Sequence, residues 1–118
     1  MLSPEDREVI QQLAKAGDDR SIVRPVVNWL FGDEANLRSI GAALGMNGWV
    51  NVEPRADEDG WLMSPTKLTD LFDEAIILMN RELEEASANI DVTYDGWETS
   101  VEKTKRIGLF PKLFGKTQ

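Results

Sequence analysis

The residues of this chain best suited to chemistry are carboxylates and aromatic rings, because the sequence contains no histidine and no cysteine. That composition removes disulfides, thiol nucleophiles, imidazole bases and the usual zinc or haem ligands together. Among what remains, Asp95 and Glu98 stand close enough in sequence to be considered for general acid–base work. Nothing in the flanking residues fixes them in a cleft, and the chain has neither a serine-centred nucleophile elbow nor a phosphate-binding glycine loop. Asp57-Glu58-Asp59-Gly60 offers oxygen ligands, but it lacks the alternating spacing and the distant glutamate of a calcium loop, so it reads as a solvated hairpin turn. The expectation is a protein that is not an enzyme, with no catalytic residue, no metal and no cofactor.

Binding chemistry is better represented. Tyr94-Asp95-Gly96-Trp97 sets a tyrosine and a tryptophan beside a glycine bend, which gives rigid aromatic area of the kind found at binding hot spots. Glu82, Glu84 and Glu85, with Asp91, Asp95, Glu98 and Glu102 downstream, would form an acidic face for an arginine-rich partner segment. The candidate partner-binding residues are therefore Tyr94, Asp95, Trp97, Glu98, Glu82 and Glu85. The competing structural reading has Gly96 permitting a bend while Tyr94 and Trp97 pack on opposite faces of a sheet, the acids being an ordinary solvated surface. The other tryptophans, Trp29, Trp49 and Trp61, fall on three predicted strands, where they either pack in the core or line a sheet face left for a dimer mate or a partner.

Charge narrows the partner. Residues 1–102 carry 8 basic and 21 acidic side chains, a formal charge of −13, whereas residues 103–118 carry five basic side chains and no acid. An acidic body repels phosphate, and nucleic-acid affinity comes largely from cations that release condensed counterions, so direct RNA or DNA binding is disfavoured and a basic protein surface is the better match. The N-terminus has no basic region followed by an apolar run, and no stretch approaches the roughly 18 apolar residues of a membrane span. The expectation is a soluble, cytoplasmic protein.

These side chains need elements to position them. At 118 residues the chain has the length of one domain, and its 42% hydrophobic content is enough to build one core. Ser3 caps a helix over Pro4 to Ala16, with Val9, Ile10, Leu13 and Ala14 on one face, and Gly17 stops it. Ile22 to Phe31 reads as a strand in which Pro25 signals a bulge or a late start. Asp33 caps a helix through Leu44, with Leu37, Ile40, Ala43 and Leu44 inward. Trp49 to Glu53 is a short strand, residues 54–60 a turn, and Trp61 to Thr66 the returning strand. Thr69 to Ala88 is the clearest helix: Leu68, Leu71, Phe72, Ala75, Ile76, Met79, Leu83 and Ala86 recur at three- and four-residue intervals. Ile90 to Val101 alternates again, with a bulge or bend at Asp95-Gly96. The order predicts an α+β domain over residues 1–102, a ferredoxin-like βαββαβ sandwich with an antiparallel four-stranded sheet, two helices on one face and an extra N-terminal helix. The basic, apolar tail over 103–118 is too broken by glycine and proline for a stable isolated helix, and reads first as docking on the domain's own surface.

The string Ile90-Asp91-Val92-Thr93-Tyr94-Asp95-Gly96-Trp97-Glu98-Thr99, directly after a long amphipathic helix, resembles the C-terminal signature of the regulator of ribonuclease E activity B family. Gly17-Asp18, the strand ending Asn28-Trp29-Leu30-Phe31, and Trp49-Val50-Asn51-Val52 sit in the same order, and the resemblance covers roughly residues 5 to 101. It implies a ferredoxin-like, non-catalytic protein that binds the scaffold and RNA-binding part of RNase E, lowers its activity and alters RNA turnover. Members of that kind carry an acidic C-terminal extension, where this chain ends in a basic one. Two other readings fit the residues: a homodimeric ferredoxin-like module enclosing a small molecule between paired sheets, and an acidic interaction protein, such as a toxin-neutralising one, unrelated to RNA decay.

Overall fold

A computed structural model describes residues 1–104. In chain order the elements are α1 (Pro4–Lys15), β1 (Arg24–Gly32), α2 (Glu34–Met46), β2 (Arg55–Asp57), β3 (Gly60–Met63), β4 (Thr66–Thr69), α3 (Asp73–Ser87) and β5 (Val92–Thr99). The predicted tail falls, from residue 105 on, outside the described residues. No described helix is long and apolar enough to cross a membrane.

Among the described residues the architecture is mixed α+β, three helices with one antiparallel sheet. Strand β1 is its hub. One edge of β1 pairs with β5 from Val26 to Gly32; the other is shared by β4, against Arg24–Val27, and β3, against Leu30–Gly32. Strand β2 lies outside β3. The sheet thus has five strands where the sequence predicts four, because the returning strand breaks at Ser64-Pro65. Proline has no N–H to give the ladder, although Pro65 still accepts a hydrogen bond from the Asn28 N–H at 2.9 Å.

Three further expectations are corrected. Trp49–Glu53 is not a strand: only Val50 bridges, exchanging hydrogen bonds of 2.8 and 2.9 Å with Thr66. The strand of that hairpin is Arg55–Asp57, inside the predicted turn, which shrinks to Glu58-Asp59. Helix α3 begins at Asp73 and not at Thr69, because Thr66–Thr69 is committed to the ladder with β1. Leu68 and Phe72 accordingly leave the predicted apolar face, at 63% and 46% exposure. Ala14 also points outward. Strand β1 takes the late start that Pro25 suggested, at Arg24.

Local chemistry explains the helices. The Ser3 hydroxyl accepts from the Asp6 N–H at 3.1 Å, with Pro4, Glu5 and Asp6 in the first turn of α1, satisfying an orphan donor and matching the helix dipole. Helix α2 buries Leu37, Ile40, Gly41 and Leu44, and α3 buries Ile76, Met79 and Leu83. They close on the face of β1 that carries Val26 and Leu30, together with Met63 and Leu71. Each such aliphatic side chain contributes about 1.5–3 kcal/mol relative to exposure. Gly41 is a contact requirement: a Cβ there would lie 2.1 Å from the Val52 carbonyl oxygen and 3.1 Å from Met63 Sδ, so the loop after α2 crosses the helix where no side chain intervenes.

An ion pair is buried in this frame. The Arg24 side chain, 1% exposed, pairs with Asp18 and donates to the carbonyls of Ile22 (3.1 Å), Asp19 (2.6 Å) and Ser100 (3.0 Å). Asp18 in turn accepts the Glu102 N–H at 2.8 Å. Four guanidinium hydrogen bonds, to three carbonyls and a carboxylate, are what makes such burial tolerable.

Candidate functional site

Pairing between β1 and β5 slips once. Asn28 opposes Trp97 and Leu30 opposes Tyr94, so Asp95 and Gly96 together face Trp29 alone. This is the bulge that the Asp95-Gly96 pair predicts, and Gly96 takes a φ of +85°, a left-handed conformation costly for a residue with a Cβ. The extra residue shifts the alternation by one, so Tyr94 and Trp97, three apart, point to the same face of the sheet. The prediction that they pack on opposite faces is corrected by that one-residue slip.

Both rings turn toward the helices, and their polar tips are satisfied there. Tyr94 Oη donates to Asn28 Oδ1 at 2.8 Å, and Trp97 Nε1 donates to Asp6 Oδ1 at 2.8 Å. Asn80 Nδ2, from α3, donates to the other Asp6 oxygen at 2.7 Å. Trp97 is 7% and Asp6 6% exposed, while Tyr94 keeps 43% of its surface open. Burial of the hydroxyl, and then the Asp6 charge, push the Tyr94 phenol well above its ordinary value.

Between the first turns of α1, the C-terminal half of α3 and the bulged part of β5 lies a cleft of about 780 Å³. Its floor is apolar, with Val9, Leu30, Leu83, Ile90, Val92 and the two rings. Glu5, Asp6, Glu84 and Asp95 line it, and among the described residues no basic side chain does. The arrangement offers an apolar bed under negative charge.

Of the six candidate residues, this cleft brings together Tyr94, Asp95 and Trp97. Glu98 lies on the other side of the sheet, where its Oε1 accepts from Trp29 Nε1 at 3.1 Å, with the Arg55 guanidinium 5.9 Å from the same ring. Asp95 and Glu98 therefore do not converge as an acid–base pair. Glu82 faces away from the cleft and accepts from Lys67 Nζ at 2.5 Å and Trp49 Nε1 at 2.8 Å. Burial raises the Glu82 carboxyl, but the hydrogen bonds from Lys67 and Trp49 and the Lys67 charge outweigh it and hold the group below its ordinary value. Glu85 is exposed on α3 outside the cleft lining. The other tryptophans form no cluster: Trp29 is on the outer face, Trp61 packs against the core beside Met63, and Trp49 is buried after α2.

Asp6, Asn80 and Asn28 escaped the sequence reading. Asn28 carried a signal, as a polar residue between Val26 and Leu30 on an otherwise apolar face needs a buried partner. Asp6 looked like helix-dipole chemistry alone, and its indole partner lies 91 residues away.

A family model described as regulator of ribonuclease activity B matches residues 3–99. No curated protein matches the chain.

Proposed function

This chain belongs to the regulator of ribonuclease activity B family, and from that premise we propose that it is a non-catalytic protein that binds RNase E at its basic scaffold and RNA-binding region and lowers its activity. The observation that carries this reading is the charge of the body. Residues 1–102 hold 21 acids against 8 bases, and Arg20, Arg24, Arg38 and Lys67 are already paired with acids of the same chain. What faces outward is an excess of carboxylates, complementary to a cationic polypeptide and repellent to RNA. The functional unit is residues 1–102, acting in the cytoplasm. Counting β3 and β4 as one strand interrupted at Pro65, the order β5, β1, β3/β4, β2 reads as a ferredoxin-like sheet preceded by an extra helix.

The test is recovery from a cell extract on the immobilised full chain, at low and at moderate salt. RNase E should be retained at low salt and weakened as salt rises. Its absence at both would remove the proposed partner.

A specific feature favours a second mode of association, through the outer face of the sheet. Val27, Trp29, Phe31 and Leu62 are half-buried there, and Leu68 and Pro25 are exposed, apolar side chains of the kind that pair sheets into homodimers, with Glu98 and Arg55 beside Trp29 as the charged groups among them. Sedimentation of the chain alone should then give twice the monomer mass, and Phe31→Glu should return it to a monomer.

A further inference from the structure

We infer that the cleft between α1, α3 and β5 is the recognition site for an arginine side chain carried on a short apolar-flanked segment of the partner polypeptide. The inference deepens the protein-binding reading above and rests on it for the origin of the segment. Three observations converge on the chemistry of the occupant.

The first is charge without compensation. Glu5, Asp6, Glu84 and Asp95 line the cleft, and among the described residues no lysine or arginine does. Asp6 is nearly buried, and among the described residues its two oxygens receive only the neutral donors Trp97 Nε1 and Asn80 Nδ2, so its charge is hydrogen-bonded but not cancelled. The neighbouring phenol registers that field: the Asp6 charge is one of the two causes that hold Tyr94 protonated. An anion would be rejected here and a cation accepted.

The second is shape. Tyr94 leaves 43% of its surface open between Asp95 on its own strand and Glu84 across the cleft. A guanidinium is flat, stacks on aromatic faces and offers a fork of N–H donors to carboxylates, and it loses less hydration than an ammonium on entering such a site. The third is size and floor. A volume of about 780 Å³ over Val9, Leu30, Leu83 and Ile90 exceeds what one side chain fills, so the neighbours of the arginine enter too, as apolar groups. A free polyamine would satisfy the rim and leave the floor unused.

The probe is a short synthetic peptide alternating arginine with leucine, titrated calorimetrically into the full chain, with its lysine counterpart and spermidine as comparisons. Glu84 and Asp95 are both exposed, so Glu84→Gln/Asp95→Asn tests the rim without disturbing the core; Glu58→Gln/Asp59→Asn, in the β2–β3 turn, makes the same charge change elsewhere. The rim variant should lose about tenfold in affinity for the arginine peptide, as expected for two charges in a partly dry site, while the turn variant changes less than about twofold. The arginine peptide should bind more tightly than both comparisons. Equal losses in the two variants would reduce the effect to net charge and overturn the site; equal binding of the lysine peptide or spermidine would overturn the guanidinium or the peptide. A large gain in affinity in Lys105→Gln/Arg106→Gln would assign the cleft to the chain's own basic segment and overturn the partner's claim on it. The two readings fail separately: recovery of RNase E by the rim variant at wild-type level removes the site and keeps the partner, whereas peptide binding at the cleft without recovery of RNase E removes the partner and keeps the site.

Discussion

The two faces of the sheet carry tryptophans one register step apart, and they put them to opposite uses. Trp97, beside Asn28 on the helix-covered face, is buried with its N–H given to Asp6; Trp29, next along β1, lies half-buried on the outer face with its N–H given to Glu98 and Arg55 near its ring. Both indoles are hydrogen-bonded to a carboxylate, so the bond itself does not distinguish them. What does is whether the carboxylate can reach water. Asp6 is only 6% exposed, so its loss of partners would strand a nearly buried charge, while Glu98 is exposed and rehydrates at little cost. The covered face is wired for stability and cleft geometry, and the outer face keeps its carboxylate in contact with water.

The largest test of that contrast is truncation of each ring. Trp97→Ala should cost about 3–5 kcal/mol, the range for a buried aromatic and higher in it because Asp6 is left short of a donor. Trp29→Ala should cost about 1 kcal/mol, as a half-exposed side chain does. Urea unfolding followed by far-ultraviolet circular dichroism measures both, and similar midpoints for the two variants would erase the distinction between the faces.

A smaller effect sharpens how the bulge sorts the rings. Gly96→Ala places a Cβ in the left-handed region and should cost about 1–2 kcal/mol. Nothing lies within 4 Å of where that Cβ would sit, so the penalty is conformational and not a clash. A fully wild-type denaturation midpoint in this variant would mean that the bulge does not depend on glycine.

The smallest is a titration. Tyr94 is the chain's one tyrosine, so phenolate absorbance near 295 nm reports it alone. Its folded value lies above its unfolded value, so the protonated phenol contributes stability that is fully present below about pH 10, the ordinary tyrosine range, and is lost as pH rises further. Phenolate should appear at about pH 10 in denaturant and only at higher pH in the native protein. Tyr94→Phe should cost about 1 kcal/mol at neutral pH, for the lost hydrogen bond to Asn28, and should abolish the alkaline slope. Coincident native and denatured titrations would place the hydroxyl in water.

Where signals are local, the sequence carried them. Ser3-Pro4-Glu5-Asp6 specifies the start of α1, Leu37, Ile40 and Leu44 specify the inner face of α2, and Asp95-Gly96 marks the bulge. Where a distant strand decides, it did not. Leu68, Leu71 and Phe72 fit a helical period, yet pairing with Arg24–Val27 draws Thr66–Thr69 into the sheet, a tertiary override of local pattern. The candidate site was half legible for the same reason. Tyr94, Asp95 and Trp97 stood out as a string, but their common direction depends on a register slip, and Asp6 and Asn80 reach them from elements far off in the chain. Glu82 and Glu98 had the right charge, and only coordinates reveal that each already holds a tryptophan N–H.

Arg24 has a consequence for how the molecule is made. It sits in the strand that pairs with β3, β4 and β5, yet one of its acceptors, the Ser100 carbonyl, is 76 residues downstream, and Glu102 supplies the donor that fixes Asp18. A growing polypeptide that has already emitted α1, β1 and α2 still carries a guanidinium whose dry environment is unfinished, and dehydrating it early would be unfavourable. The acceptor set of this guanidinium is complete only when residues 100–102 are in place, so removing them should destabilise the hub strand itself and not merely the end of the sheet.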